Sequence, residues 1–244
     1  MTLRSILALG FLSSITLVAQ ESTSKRQVFP ALVEPTAKVE GWGTSVNPEL
    51  DCQFELKDGK LTISVPPTQI SRDLAAEIGV VNAPRVLQPV KGDFSFTVRV
   101  EGNSKPDGGS TQQGRVSYTG AALILMADTD HVVTLARAAI SSGGGKPNGY
   151  ANFEIRSAGK LLQMGSGENP LPVEGPVFMK LERHGNEVRA AISVDGAMWK
   201  DLPAKKLPES WPEQSFVGVA AITTSASGFE PTFTQIRSGK SSNP

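Results

Sequence analysis

Residues 82–100 read NAPRVLQPVKGDFSFTVRV, and the order of apolar and polar side chains in this stretch decides the fold. Phe94, Phe96, Val98 and Val100 fall on one parity and Ser95, Thr97, Arg99 and Glu101 on the other, the period-two pattern of a strand with one buried face. An isolated strand cannot bury two phenylalanines, so the pattern calls for a second layer packed over it. Pro84 and Pro89 each remove a ladder donor, which places Arg85 to Gln88 at an edge or in a connection leading into that strand.

The rest of the chain repeats the same grammar. Phe54 and Leu56, then Asp58-Gly59, then Leu61, Ile63 and Val65 form a hairpin closed by a turn that needs positive φ. Ser71 to Ile78 is the one segment that reads as a helical turn or two, with Ser71 as cap and Leu74, Ala75 and Ile78 on one face. Asn103 to Gly114 is a polar loop with nothing to pack and is expected to be exposed and mobile. Ala121 to Ala127 is an unbroken apolar run, which signals a central strand covered on both faces. After a turn at Asp128 to Asp130 the chain returns from His131 to Arg137, with Val133 and Leu135 on one parity and Val132, Thr134 and Ala136 on the other. Strands over Tyr150 to Arg156, Leu161 to Met164, Val177 to Leu181, Val188 to Val194, Phe216 to Thr223 and Phe229 to Ile236 complete the series. Short strands at regular spacing with almost no helix predict an all-β fold of two packed antiparallel sheets.

Acids and bases number 24 each, so no net field draws the chain to nucleic acid or to an anionic membrane. The start has the pattern of an export leader: Arg4, an apolar run from Ile6 to Val18, and small residues ending at Ala19. The expected organisation is a signal peptide at 1–19, a spacer at 20–38, one sandwich domain at 39–237 and a disordered tail at 238–244. Such a protein is secreted or periplasmic, with no membrane association once the leader is removed. Cys52 is the only cysteine, so no internal disulfide is available, and it reads as a core residue.

The ordered series 82–100, YTGAALILMADTDHVVTLARA (118–138), GYANFEIRSAGK (149–160), GPVFMKLERHGNEVRAAISVDGAMWKDL (175–202) and FVGVAAITTS (216–225) resembles a family of bacterial concanavalin A-like domains of unknown function. That family includes proteins labelled regulators of enolase and is similar to the accessory C-terminal sandwich of family 43 β-xylosidases. The resemblance spans about Gly41 to Ile236 and implies a jelly-roll sandwich with a concave and a convex sheet. This chain departs from it at Thr134 and Ala136, where relatives carry polar or charged residues, and near Met126, where they carry an aromatic. The resemblance supplies no catalytic residues.

Hydrolases of this architecture use carboxylates on alternate residues of one strand, and no such segment is present. Asp128, Asp130 and His131 combine oxygen donors with an imidazole, yet aspartates in a turn more commonly end a hairpin; no cofactor is expected, with calcium the one ion left open. With only His131 and His184 in the chain, and no strand-turn-helix setting around Ser141-Ser142, nucleophile-plus-base chemistry lacks its parts. Gly143 to Gly145 is a loop, since no helix with a Lys-Ser/Thr pair follows. An enzyme is therefore not the expected reading.

A binding module is. Tyr150, Asn152, Glu154 and Arg156 project from one face of a strand, with Tyr118, Arg85 and Asn82 as candidates from neighbouring elements, the aromatic and planar polar groups that grip a sugar. The plainer alternative is a solvated face carrying a cross-strand pair between Glu154 and an arginine. Trp42, Trp199 and Trp211 are further stacking candidates, with Trp199 placed as a lid over the core. The expected function is a non-catalytic carbohydrate-recognition or adhesion module that binds a glycan weakly. A domain that binds a cell-envelope protein is second, and a glycoside hydrolase third.

Overall fold

The computed structural model describes residues 37–107, 109–142, 145–165 and 167–239, so the expected leader and nearly all of the spacer and tail lie outside the described residues. The chain forms β1 (Lys38–Val39), β2 (Gly43–Val46), β3 (Gln53–Lys57), β4 (Lys60–Ser64), β5 (Leu74–Ala75), β6 (Val80–Val81), β7 (Arg85–Lys91), β8 (Phe94–Glu101) and β9 (Ser117–Met126). It continues through β10 (Val132–Ser141), β11 (Asn148–Ser157), β12 (Lys160–Gln163), β13 (Val177–His184), β14 (Glu187–Ser193), β15 (Lys200–Asp201), β16 (Lys205–Lys206), β17 (Gln214–Thr223) and β18 (Thr232–Gly239).

Strand pairing sorts these elements into two large antiparallel sheets. The first runs β1-β2-β7-β17-β9-β10-β11-β12, and the second β15-β14-β13-β8-β18-β4-β3, with β16 also on β14. The alternation in β8 does what its sequence demands: Phe94, Phe96, Val98 and Val100 are buried and the intervening residues half-buried. They meet Leu123, Leu125, Val133, Leu135, Phe153, Ile155, Val217 and Val219 from the first sheet, and this interdigitation is the core.

The first sheet is apolar on its other face as well. Ala122, Ile124, Met126, Val132, Ala136, Ala138, Ala220 and Ile222 form a second cluster with Leu74 and Ala83. That explains the run at 121–127: β9 lies between β17 and β10, and its residues from Ala121 to Met126 are fully buried. The layer on top is a short strap, β5 and β6 with a single 3-10 turn at Ala76–Ile78 between them. The floor under the strap is tightly built. A Cβ at Gly218 would lie 1.9 Å from the Val86 carbonyl oxygen, so only glycine lets β17 and β7 pair there.

Several expectations are corrected. Arg85 to Gln88 is not at the edge: β7 lies between β2 and β17, and β2 pairs with Arg85, Val86 and Leu87. Pro89 is tolerated because it lies beyond the last residue that β2 pairs with, so its missing N–H breaks no bond on that side. Ser71 to Ile78 is a strap rather than a helix of one or two turns. The 3-10 turn has no side-chain cap, and the Ser71 hydroxyl bonds instead with the Thr111 hydroxyl at 3.0 Å. The loop from Asn103 to Gly114 is pinned by polar contacts: Ser104 N–H donates to Val173 O, Thr111 N–H to Thr224 O, and Thr119 Oγ1 to Ser104 O. Its lack of apolar residues hid this, because its anchors are backbone groups and hydroxyls.

Trp42 and Trp211 are buried in the core and offer no ring to a ligand. Trp199 is no lid over that core; it is half-buried against Lys180, whose Nζ lies 5.6 Å from the ring centroid, on the outer side of the second sheet. Leu56, near the end of β3, and Val194, just past β14, are exposed. The Asp58-Gly59 turn has positive φ at both residues, 50° and 73°, as a tight hairpin requires.

Candidate functional site

Register determines what shares the outer face of the first sheet. Opposite Val132, Thr134, Ala136 and Ala138 on β10 stand Arg156, Glu154, Asn152 and Tyr150 on β11. Tyr150 packs against the apolar cluster that holds Val132, Ala136 and Ala138. Tyr118 joins from β9. A Cβ at Gly120 would sit 2.6 Å from the Tyr118 hydroxyl, so the tyrosine folds back over a position that only a glycine leaves open.

These side chains line a cleft of about 410 Å³ together with Thr134, Ile140, Ile222 and Thr224. Its remaining wall comes from Asp73 and Leu74 on the strap and from Gln112, Arg115 and Val116 on the pinned loop. The structure thus brings together five of the seven residues expected from sequence: Tyr118, Tyr150, Asn152, Glu154 and Arg156.

Arg85 and Asn82 are not among them. Arg85 shares a cross-sheet row with Ala220, Ala122, Ala136 and Asn152, four strand steps from Asn152. At about 4.8 Å per step that separation is roughly 19 Å. Arg85 lies buried and donates to the Ala83 carbonyl at 2.8 Å, and burial pushes its pKa down to about 10. Asn82 acts behind the wall: its Oδ1 accepts from Asp73 N–H at 3.1 Å and its Nδ2 donates to Glu49 at 2.8 Å.

The β11 face is not a solvated one. Asn152 and Arg156 are only 7% and 8% exposed. Arg156 does pair with Glu154, at 2.7 Å, but along the same strand rather than across strands, and Glu77 from the 3-10 turn takes its Nε at 2.9 Å. Burial opposes the charge on Arg156, yet the two carboxylates outweigh it and hold its pKa above the ordinary arginine value. Asn152 Nδ2 points to the Tyr118 hydroxyl at 3.5 Å, and the Asn152 side chain packs so closely on Gly165 that a Cβ there would overlap it.

Asp73 has a different environment. It accepts from Leu74 N–H at 2.7 Å and from Gln112 Nε2 at 3.4 Å. Burial is the leading influence on its carboxyl and raises the pKa, with the Leu74 hydrogen bond and the Arg156 charge opposing in part. Burial likewise raises Tyr118 and Tyr150, with the Glu154 charge adding in both cases, so both phenols stay protonated. The cleft therefore offers two aromatic faces, hydroxyls, two carboxyls in unlike settings and an arginine clamped by acids.

Sequence reasoning missed Asp73 because Ser71 to Ile78 read as a helix, and Gln112 because its loop read as free. Thr134 was marked only as a departure from the family pattern. Elsewhere, Asp128 Oδ1 lies 2.7 Å from His131 Nδ1 and accepts from Asp130 N–H, a closed hairpin end, and His131 packs edge-on to Trp211. No group of three or more metal-ligating side chains occurs among the described residues.

No protein-family model matches the sequence, and no curated protein matches it. Solved structures do match. A functionally unknown protein from Saccharomyces cerevisiae superposes with a TM-score of 0.60 at 16% identity, covering 83% of this chain and 98% of its own. Lectin I-B4 from Griffonia simplicifolia aligns at a TM-score of 0.50 and 12% identity, over 78% of this chain and 92% of the lectin. The fold is the lectin-type jelly roll. The GH43 protein BlXynB of Bacillus licheniformis aligns at a TM-score of 0.56 and 16% identity over 84% of this chain, which spans only 38% of that protein. At these identities the likeness is one of architecture.

Proposed function

We propose that the protein is a non-catalytic carbohydrate-recognition module whose glycan lies in the cleft on the outer face of the first sheet. The observation that carries this reading is the convergence of Tyr118, Tyr150, Asn152, Glu154 and Arg156 in one concave site. Tyrosine faces match the C–H surfaces of a sugar ring, and planar amides and carboxylates match its hydroxyls. A secreted or periplasmic address fits such a role. The occurrence of the same architecture in a lectin and a family 43 protein supports it as analogy.

The test is a glycan array followed by titration of the best ligand into wild type, Tyr150→Ala and Asn152→Ala. Each substitution should weaken binding about tenfold, the loss expected for a stacking surface or a buried polar contact. Unchanged affinity in both variants would remove this face from consideration.

A further inference from the structure

The cleft floor contains a feature that ordinary packing does not explain. Thr134 is 2% exposed, stands between Ile124 and Glu154 in the cross-strand row, and lines the cleft. Its Oγ1 is shielded from solvent and has no hydrogen-bond partner among the described residues. Valine has nearly the same shape and would suit this apolar floor, so the hydroxyl is the part that needs a reason. A hydroxyl is both donor and acceptor, and it is matched by another hydroxyl.

The charges select further. Arg156, the one arginine at the base of the cleft, is already held by Glu154 and Glu77. Arg115 is exposed at the mouth, where solvent screens it. Two carboxylates thus face one guanidinium, and Asp73 beside them accepts from the Leu74 N–H and the Gln112 side chain. A ligand entering this site therefore meets acceptors, and an anionic group on it would meet like charge.

We propose that the ligand is a neutral saccharide, that Thr134 Oγ1 bonds one of its hydroxyls at the cleft floor, and that Glu154, backed by Glu77, turns acidic sugars away. This rests on the glycan reading above and deepens it. Glu154 accepts from a further ligand hydroxyl, which a carboxylate or sulfate substituent cannot supply.

The experiment titrates the full chain at neutral pH with neutral oligosaccharides and with the same backbones carrying uronate or sulfate groups. A neutral ligand should bind at least about tenfold tighter than its acidic counterpart. Thr134→Val should weaken the neutral ligand about tenfold, with thermal stability equal or higher, while Thr134→Ser retains most of the affinity. Glu154→Gln should narrow the gap between neutral and acidic ligands. Equal or tighter binding of acidic sugars, or indifference to Thr134→Val, would overturn this inference and leave the glycan reading standing. Failure of every saccharide to bind would take both down together.

Discussion

Asp73 couples the cleft to pH. Burial disfavours its ionised form, so the folded state keeps the proton to a higher pH than the unfolded chain, whose aspartates titrate near ~3.9. Below the unfolded value Asp73 is neutral in both states and exacts no penalty. As pH rises through the unfolded value and on to the raised folded one, stability falls, and then it levels off. Asp73→Asn removes that ionisation while an amide oxygen still accepts from Leu74 N–H. Urea denaturation should therefore find the variant more stable than wild type at about pH 8, with the advantage shrinking toward about pH 3, where the aspartate is largely neutral in both states. A gain that is the same at every pH would show that packing, not charge, is responsible. The site was partly legible at this scale. Tyr150, Asn152, Glu154 and Arg156 followed from parity alone, because residues two apart on a strand share a face. Arg85 obeyed the same rule and shares that face, but parity says nothing of distance across the strands, and four strand steps separate it from the cleft. Asp73 lies 79 residues before Asn152 in the chain, and no local pattern announces that the two line one cleft.

The strap is the element that turns a flat sheet face into a cleft. β5 and β6 together contribute four residues, too few for a period to show, which is why Ser71 to Ile78 read as helix. What holds it down is long-range. Arg72 and Thr223 exchange both N–H···O bonds at 2.8 Å, and Leu74, 1% exposed, plugs into the apolar cluster on the sheet. Leu74→Ala should lower unfolding stability by about 3 kcal/mol, the usual loss for a buried leucine. It should also weaken ligand binding, since the wall carrying Asp73 rests on that anchor. Circular dichroism melts and ligand titration check the two effects, and a loss well under about 1 kcal/mol would mean that the strap is docked only loosely. The longer elements were far more legible. β8, β9, β11 and β13 fall where alternation or an apolar run puts them, because eight to ten residues are enough for the pattern to emerge. Pro89 misled only because half of β7 is flanked on both sides and half is not.

At the scale of the whole molecule, the two apolar layers stabilise the fold without covalent help. The single cysteine, Cys52, is buried, and burial leads the influences that push its thiol up to about 12. The denaturation midpoint should therefore be the same with and without a reducing agent. A midpoint that shifts on reduction would point to chains linked through Cys52. Pairings in both sheets join segments far apart in sequence, such as Thr232 with Thr62 and Phe216 with Pro89. Such long-range pairing is expected to make folding slow. The two last strands take interior places: β17 lies between β7 and β9, and β18 between β8 and β4. During translation, then, neither half of the sandwich can close while the ribosome is still making residue 213. Four strand flanks, on β4, β7, β8 and β9, wait unpaired until residues 214–239 have been made, and until then the nascent polypeptide stays open to chaperones.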